Sequence, residues 1–258
     1  VYTQPDWSYF WRKPDVVAYC EKHFAEVGRR ARELDVRLSM HPGQFTVLAS
    51  DSKEIVERSL EEFEYHADII RYMGYGKEWQ DFKCNVHISG RQGPAGIKDA
   101  LKSLSPEARN CITIENDENK WGLEHSLELG NDLALVLDIH HHWCREGEYI
   151  EPTDDRFKRV IDSWRGVRPA LHYSYSRDEW LPEPSLLESN HQHGDMHDIN
   201  SLLSLGCKKQ KLRAHSDFYP NEKVNDWALT FWQEFDIQCE AKAKNLASEQ
   251  LYLQSLSQ

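Results

Sequence analysis

The chain has 258 residues, room for one large α/β domain or two small ones, and its 40% apolar residues with 9 Trp, 11 Tyr and 9 Phe can fill a sizeable core. No run of 18 apolar residues occurs, which excludes a transmembrane helix, and no basic start, apolar core and small-residue cleavage site mark a signal peptide. With 31 Lys and Arg against 43 Asp and Glu, the net charge of −12 argues on composition alone against a nucleic-acid partner.

Two features offset that last objection. Many of the acids fall in helical stretches, where they form a solvated outer face, and a cluster of divalent cations would reverse the local sign at a site. Cys20, Cys84, Cys111, Cys144, Cys207 and Cys239 form no CxxC pair, so they read as reduced, mostly buried thiols of a cytosolic protein. The chain opens on Val1 rather than Met, as a processed, trimmed or fragmentary chain would.

In chain order, Val17, Cys20, Phe24, Val27, Ala31 and Leu34 recur at three- and four-residue steps and predict an amphipathic helix over 14–34. A short strand over 37–40 runs into His41-Pro42-Gly43, a loop exit. A helix is expected over 51–73, capped by Ser50 or Asp51, with Ile55, Phe63, Ala67 and Ile70 inward and Gly74 as its stop. Strands follow at 84–88, 111–115, 133–139 and 170–173, with helices near 97–104, 121–130 and 156–164 between them. A helix through Trp227, Phe231 and Phe235 leads to a last strand at 236–240. Apolar strands alternating with helices predict a parallel sheet covered by helices, in a single domain over 1–258. Residues 178–213 are long, polar and loop-like, and read as an insertion on the rim.

His41, His87, Glu115, Asp138, His172 and Glu240 each stand at the C-terminal end of an expected strand. In a (β/α)8 barrel those ends converge on one face, which carries the active site. A lone strand-end histidine is more often a hydrogen-bonded structural residue than a ligand. A carboxylate inside an apolar strand is rarer, because an unpaired buried charge is costly. Six such residues in successive strands are hard to explain as packing. Imidazole with carboxylate and no thiolate suits Zn²⁺ or Mn²⁺, and Glu115, midway in the order, is placed to bridge two ions that clamp a phosphodiester. Of His140, His141 and His142, alternation favours His140 and a turn favours His141, and the sequence leaves both open. His215-Ser216-Asp217 adds an imidazole and a carboxylate; His191, His193 and His197 read as solvated loop residues, and His23, His66 and His125 as structural or surface residues on helices.

Seven motifs follow one another along the chain: His41-Pro42-Gly43-Gln44-Phe45, Asn85-Val86-His87-Ile88-Ser89-Gly90, Ile114-Glu115-Asn116-Asp117-Glu118, Asp138-Ile139-His140-His141, His172-Tyr173-Ser174, His215-Ser216-Asp217 and Glu240-Ala241-Lys242. In that order they resemble the UV damage endonucleases. The resemblance covers about residues 9–247. It implies a TIM (β/α)8-type barrel related to endonuclease IV, lacking here its first two strands and first helix, and up to three divalent ions, Mn²⁺ or Zn²⁺ before Mg²⁺. His41, His87 and Glu115 would hold one ion, Glu115, Asp138, His172 and Glu240 a second, and His141 and His215 a third. Glu115, His141 and His215 are the implied catalytic residues, with Asn116, Asp217 and Lys242 supporting them. Gln44 and Phe45 match a pair that wedges into duplex DNA opposite an extruded lesion.

The implied activity is hydrolysis of the phosphodiester 5′ to UV photoproducts in double-stranded DNA, leaving a 3′-hydroxyl, by a monomer with no membrane association. It would be cytoplasmic, at a bacterial or viral nucleoid, or nuclear or mitochondrial in a eukaryote. In the family a lysine that can be carboxylated stands two residues before the seventh-strand histidine, where this chain has Ala170. The chief rival is a single-metal sugar isomerase or epimerase using Glu115, Asp138, His172 and Glu240; a third reading is an inactive remnant of the nuclease.

Overall fold

The computed structural model describes residues 10–182 and 196–257. Two compact units divide the chain, Val1–Glu115 with Glu128–Ala134, and Asn116–Leu127 with Leu135–Gln258.

In the first unit α1 (Pro14–Glu33) and α2 (Lys53–Tyr72) pack together, and α2 also packs on α4 (Pro106–Cys111). Strands β1 (Ser39–Met40), β2 (Lys83–His87) and β3 (Ile112–Glu115) pair in parallel, with His87 opposite Glu115 and Asn85 opposite Thr113. The helix α3 (Gly93–Leu101) lies between β2 and α4 in the chain. Phe63, Ala67 and Ile70 of α2 are buried as expected, but Ile55 is exposed, because it sits in the first turn before the helix reaches the core. The N-cap of α2 is Ser52, and no side chain caps it; the Ser50 hydroxyl instead accepts from the Ser52 backbone N–H at 3.1 Å. Val27 and Leu34, expected on the inner face of α1, are exposed, while Cys20, Gly28 and Ala31 are buried.

The second unit carries three parallel strands, β4 (Ala134–Asp138, all but its first residue), β5 (Ala170–Tyr173) and β6 (Asp236–Cys239). Asp138 stands opposite His172, and His172 opposite Gln238. A short helix, α5 (Leu123–Leu127), takes the place of the longer one expected over 121–130. The strand expected to run to 139 stops at Asp138, whose carboxylate caps α6 (Ile139–Glu146) by accepting the His141 N–H at 2.7 Å. After α7 (Asp155–Ser163), Trp164 is fully buried and donates its indole N–H to the Leu135 carbonyl at 2.7 Å, which fixes β4 from outside.

The segment 178–213 is more than a polar loop. Among its described residues are a 3₁₀ turn (Asp178–Trp180), α8 (Ile199–Ser204) and α9 (Lys209–Leu212). Ile199, Leu202 and Leu212 pack with Trp143 and Cys144 of α6 in a satellite core, so amphipathic spacing hidden among polar residues ties it to the domain. His191 and His193 lie outside the described residues. The chain closes with α10 (Glu222–Leu229), a 3₁₀ turn (Thr230–Gln233), β6 and α11 (Asn245–Ser255). Phe231 and Phe235 clamp Phe157, their ring centroids 4.5 and 4.7 Å from it. No helix among the described residues is long and apolar enough to cross a membrane.

Candidate metal centre

Alternation along β2 and β3 puts Asn85 with His87, and Thr113 with Glu115, on one sheet face. Glu115 is fully buried. His41 Nε2 lies 3.6 Å from Glu115 Oε2, and His87 Nδ1 lies 3.9 Å from Oε1. The three residues present ligand atoms all within 4.8 Å of one another. His41 Nδ1–H donates to the Pro42 carbonyl at 2.9 Å, which leaves the lone pair on Nε2, the atom facing Glu115. The Asn85 amide donates to Glu115 Oε2 and accepts the Thr113 hydroxyl at 2.8 Å, so the carboxylate is aimed by a relay along the same face. That role for Asn85 went unread in the sequence; a polar amide two residues before His87 in an apolar strand was its signal.

In the second unit, Asp138, His172 and Glu240 likewise present ligand atoms within 4.8 Å of one another. His172 Nε2–H donates to Gln238 Oε1 at 2.7 Å, placing the lone pair on Nδ1, 3.0 Å from Glu240 Oε1. Gln238 escaped sequence reasoning too, although it stands on the face of Glu240, two residues before it.

The three consecutive histidines now separate. His140 Nε2 is bound to the Leu212 carbonyl at 3.1 Å, and burial, with His141 and His215 nearby, holds its pKa down to about 3. His142 Nε2 donates to Glu148 at 2.8 Å, and burial lowers its pKa as well. Both are neutral structural residues. His141 Nδ1–H donates to the Asn116 carbonyl at 3.0 Å, leaving the lone pair on Nε2, 3.8 Å from Glu118. His215 is fixed in the same way, its Nδ1–H on the Glu240 carbonyl at 2.9 Å, and burial lowers its pKa. The two rings are 6.4 Å apart, and neither belongs to the two ligand sets above.

The remaining sequence candidates divide between scaffold and surface. Asn116 is fully buried, accepts the Asp138 N–H at 2.8 Å and donates to the Asp138 carbonyl at 3.0 Å. Asp217 and Lys242 are exposed, Asp217 beside Arg177 at 3.9 Å, and the Lys242 N–H donates to the Ser216 carbonyl. Gln44 is exposed and Phe45 is 76% exposed, so this aromatic does not pack on its own domain. Ala170 is buried on the face of His172, with no amine to carry a modification. His66 donates to the Glu62 carbonyl and His125 abuts Trp121, both structural as expected.

The donor sets fit a divalent cation. Each holds imidazole nitrogen and carboxylate oxygen with no thiolate, the preference of Zn²⁺ and Mn²⁺. Glu115 and Asp138 are fully buried acids, and a buried carboxylate calls for a compensating cation. Parallel β/α units with imidazole and carboxylate at their strand ends define a class of protein whose strand ends could hold metal ions.

Residues 9–258 match the family model described as UV-endonuclease UvdE, and the chain belongs to that family. It is 29% identical over 229 residues to the UV DNA damage endonuclease of Bacillus velezensis, covering 83% of this chain and 66% of that one. The fold is of the TIM-barrel type. It is similar to SacUVDE, with a TM-score of 0.68 at 22% identity over 94% of this chain and 74% of the other. It is also similar to endonuclease IV from Thermus thermophilus, with a TM-score of 0.59 at 15% identity over 95% and 83%. The chain spans from 26% to 66% of the length of its first three relatives. None of these similarities supports the isomerase reading.

Proposed function

We propose that the chain is a metal-dependent DNA-repair endonuclease that hydrolyses the phosphodiester 5′ to UV photoproducts in double-stranded DNA and leaves a 3′-hydroxyl. The observation that carries the reading is the pair of imidazole–carboxylate sets at strand ends, His41–His87–Glu115 and Asp138–His172–Glu240, in a chain of the UvdE family. Up to three ions are expected, Mn²⁺ or Zn²⁺, with His141 and His215 holding the third. Bound ions would supply Lewis acidity, activating water and stabilising the departing 3′-oxygen.

The protein's own residues prepare the ligands. Pro42, Asn116, Glu240 and Gln238 accept the N–H of His41, His141, His215 and His172 and so set which nitrogen carries a lone pair. Asn85 aims Glu115, and Asp138 is held by its cap to α6. The exposed Gln44 and Phe45 form the wedge that fills the space left by extruded bases, and poor stacking at a photoproduct makes extrusion cheaper there. The enzyme would act as a monomer where DNA is stored, in the cytoplasm of a bacterium or of a virus-infected host, or in the nucleus or mitochondria of a eukaryote.

The test is nicking of UV-irradiated supercoiled plasmid with added Mn²⁺. The chain is expected to incise irradiated plasmid and spare unirradiated plasmid, and Glu115→Ala to abolish incision, since it removes the carboxylate expected to hold the ions. Wild-type incision undiminished in Glu115→Ala would refute the site. A chain inert on irradiated plasmid, while a version of it extended upstream cuts, would make it the inactive remnant.

A further inference from the structure

The chain carries 43 acids in 258 residues, one in six. Yet residues 199–216, eighteen positions where that average would place three acids, hold none. They hold Lys208, Lys209, Lys211 and Arg213 instead, and Arg213 stands two residues before His215. The structure explains why this basic stretch is presented as a surface.

The stretch folds as a fixed turn. Leu212 is fully buried in the satellite core, and its carbonyl accepts both His140 Nε2 and the Ser176 hydroxyl. Lys208, Lys209 and Lys211 are exposed. Lys209 Nζ donates to the Arg145 carbonyl at 2.9 Å, and Lys211 Nζ stands 4.0 Å over the Trp180 ring. Each ammonium has three donors, so one such contact positions it and leaves it able to take a phosphate oxygen. Arg213 is a strut: it donates to Glu118 at 2.7 Å, whose other oxygen is 3.8 Å from His141 Nε2. The turn is thereby joined to two of the implied ion ligands, since His215 also bridges to Ser176.

We propose that this turn is a phosphate-backbone grip for duplex DNA, with Lys208, Lys209 and Lys211 each taking a phosphate. The inference rests on the nuclease reading and assigns to the rim segment the sequence-independent part of binding. A polyanion is repelled by the rest of a chain with net charge −12, so an acid-free turn is where it settles. The link through Arg213 and Glu118 to His141 favours DNA over a lipid surface, although Leu203 and Leu205 are exposed nearby.

The experiment uses protein loaded with Mn²⁺ and freed of excess ion, and an undamaged fluorescent duplex, with anisotropy read at several salt concentrations. Each phosphate contact adds about 0.9 to the slope of log affinity against log salt. Changing Lys208, Lys209 and Lys211 together to Gln is expected to lower that slope by about 2 to 3 and to weaken binding about tenfold or more at ~0.1 M salt. Lys208→Gln alone should remove about 1 from the slope, a readout that survives if the triple variant folds poorly. The same three substitutions at Lys53, Lys98 and Lys102, which change net charge equally, should leave the slope as it was. A slope unchanged in the Lys208 and triple variants, or lowered as much by the control set, overturns the grip and leaves the nuclease standing. Tighter binding to phosphatidylserine vesicles than to the duplex, lost in the triple variant, overturns it in favour of a membrane surface. A wild-type chain that does not bind the undamaged duplex at any salt overturns the grip, and one that binds no UV-irradiated duplex either overturns the nuclease reading itself.

Discussion

Asn116 shows how much of the proposed metal centre is decided by a residue outside the two candidate ligand sets. Its side chain accepts the Asp138 N–H and donates to the Asp138 carbonyl, and its own carbonyl takes the His141 Nδ1–H. One buried residue thus fixes where Asp138 stands and which nitrogen His141 offers. The job needs one acceptor and one donor on adjacent atoms, which an amide supplies and a carboxylate does not. Asn116→Asp keeps the size but sets an acceptor against the Asp138 carbonyl, leaving that buried group unsatisfied at about 1–3 kcal/mol. The melting temperature should fall by several degrees, and Mn²⁺ affinity about 10- to 100-fold, the usual loss when a supporting partner goes. Calorimetry and metal titration measure both. A variant that binds Mn²⁺ as tightly as the wild type would show that Asn116 serves packing alone.

At the scale of elements, glycine sets the closeness of α1 and α2. A Cβ on Gly28 would lie 1.9 Å from the Met73 carbonyl oxygen, backbone at the end of α2 that also accepts the Arg32 guanidinium at 3.0 Å. Neither helix can yield without losing the other's packing, so Gly28→Ala should destabilise by about 1–3 kcal/mol despite the better helix propensity of alanine. A thermal melt unchanged by the substitution would mean the two helices separate freely. Nothing in the sequence marks Gly28, because its partner is 45 positions away. The strands, by contrast, were legible: short apolar runs with His, Asp or Glu at or near their C-terminal ends are rare enough to read directly, whereas the grouping of those residues into ligand sets came only from the family resemblance. The start of α6 was not, since Ile139 continues the apolar run of β4 and only the Asp138 cap ends the strand. Likewise the choice among His140, His141 and His142 turns on carbonyls of Leu212 and Asn116, far away in the chain. The helices of the rim segment hide their three anchors among polar residues, and period alone does not reveal them.

For the molecule as a whole, the net charge of −12 and the buried acids set one expectation together. Glu115 and Asp138 are fully buried, and hydrogen bonds from Asn85 and the His141 N–H satisfy part of their demand. Bound cations would meet the rest, and any ligand that binds only the folded chain stabilises it, by about 2.7 kcal/mol at a hundred times its Kd. For a chain of this length each kcal/mol raises the melting temperature by about 2–4 °C. Mn²⁺ should therefore raise the melting temperature by about 5–10 °C per well-filled site over the EDTA-treated protein, and elemental analysis of the loaded protein should find more than one ion per chain. A single ion would fit the isomerase-like stoichiometry instead. A melting temperature indifferent to both Mn²⁺ and EDTA would show that the acids are satisfied without a cation, and the two strand-end sets would then be hydrogen-bonded structure.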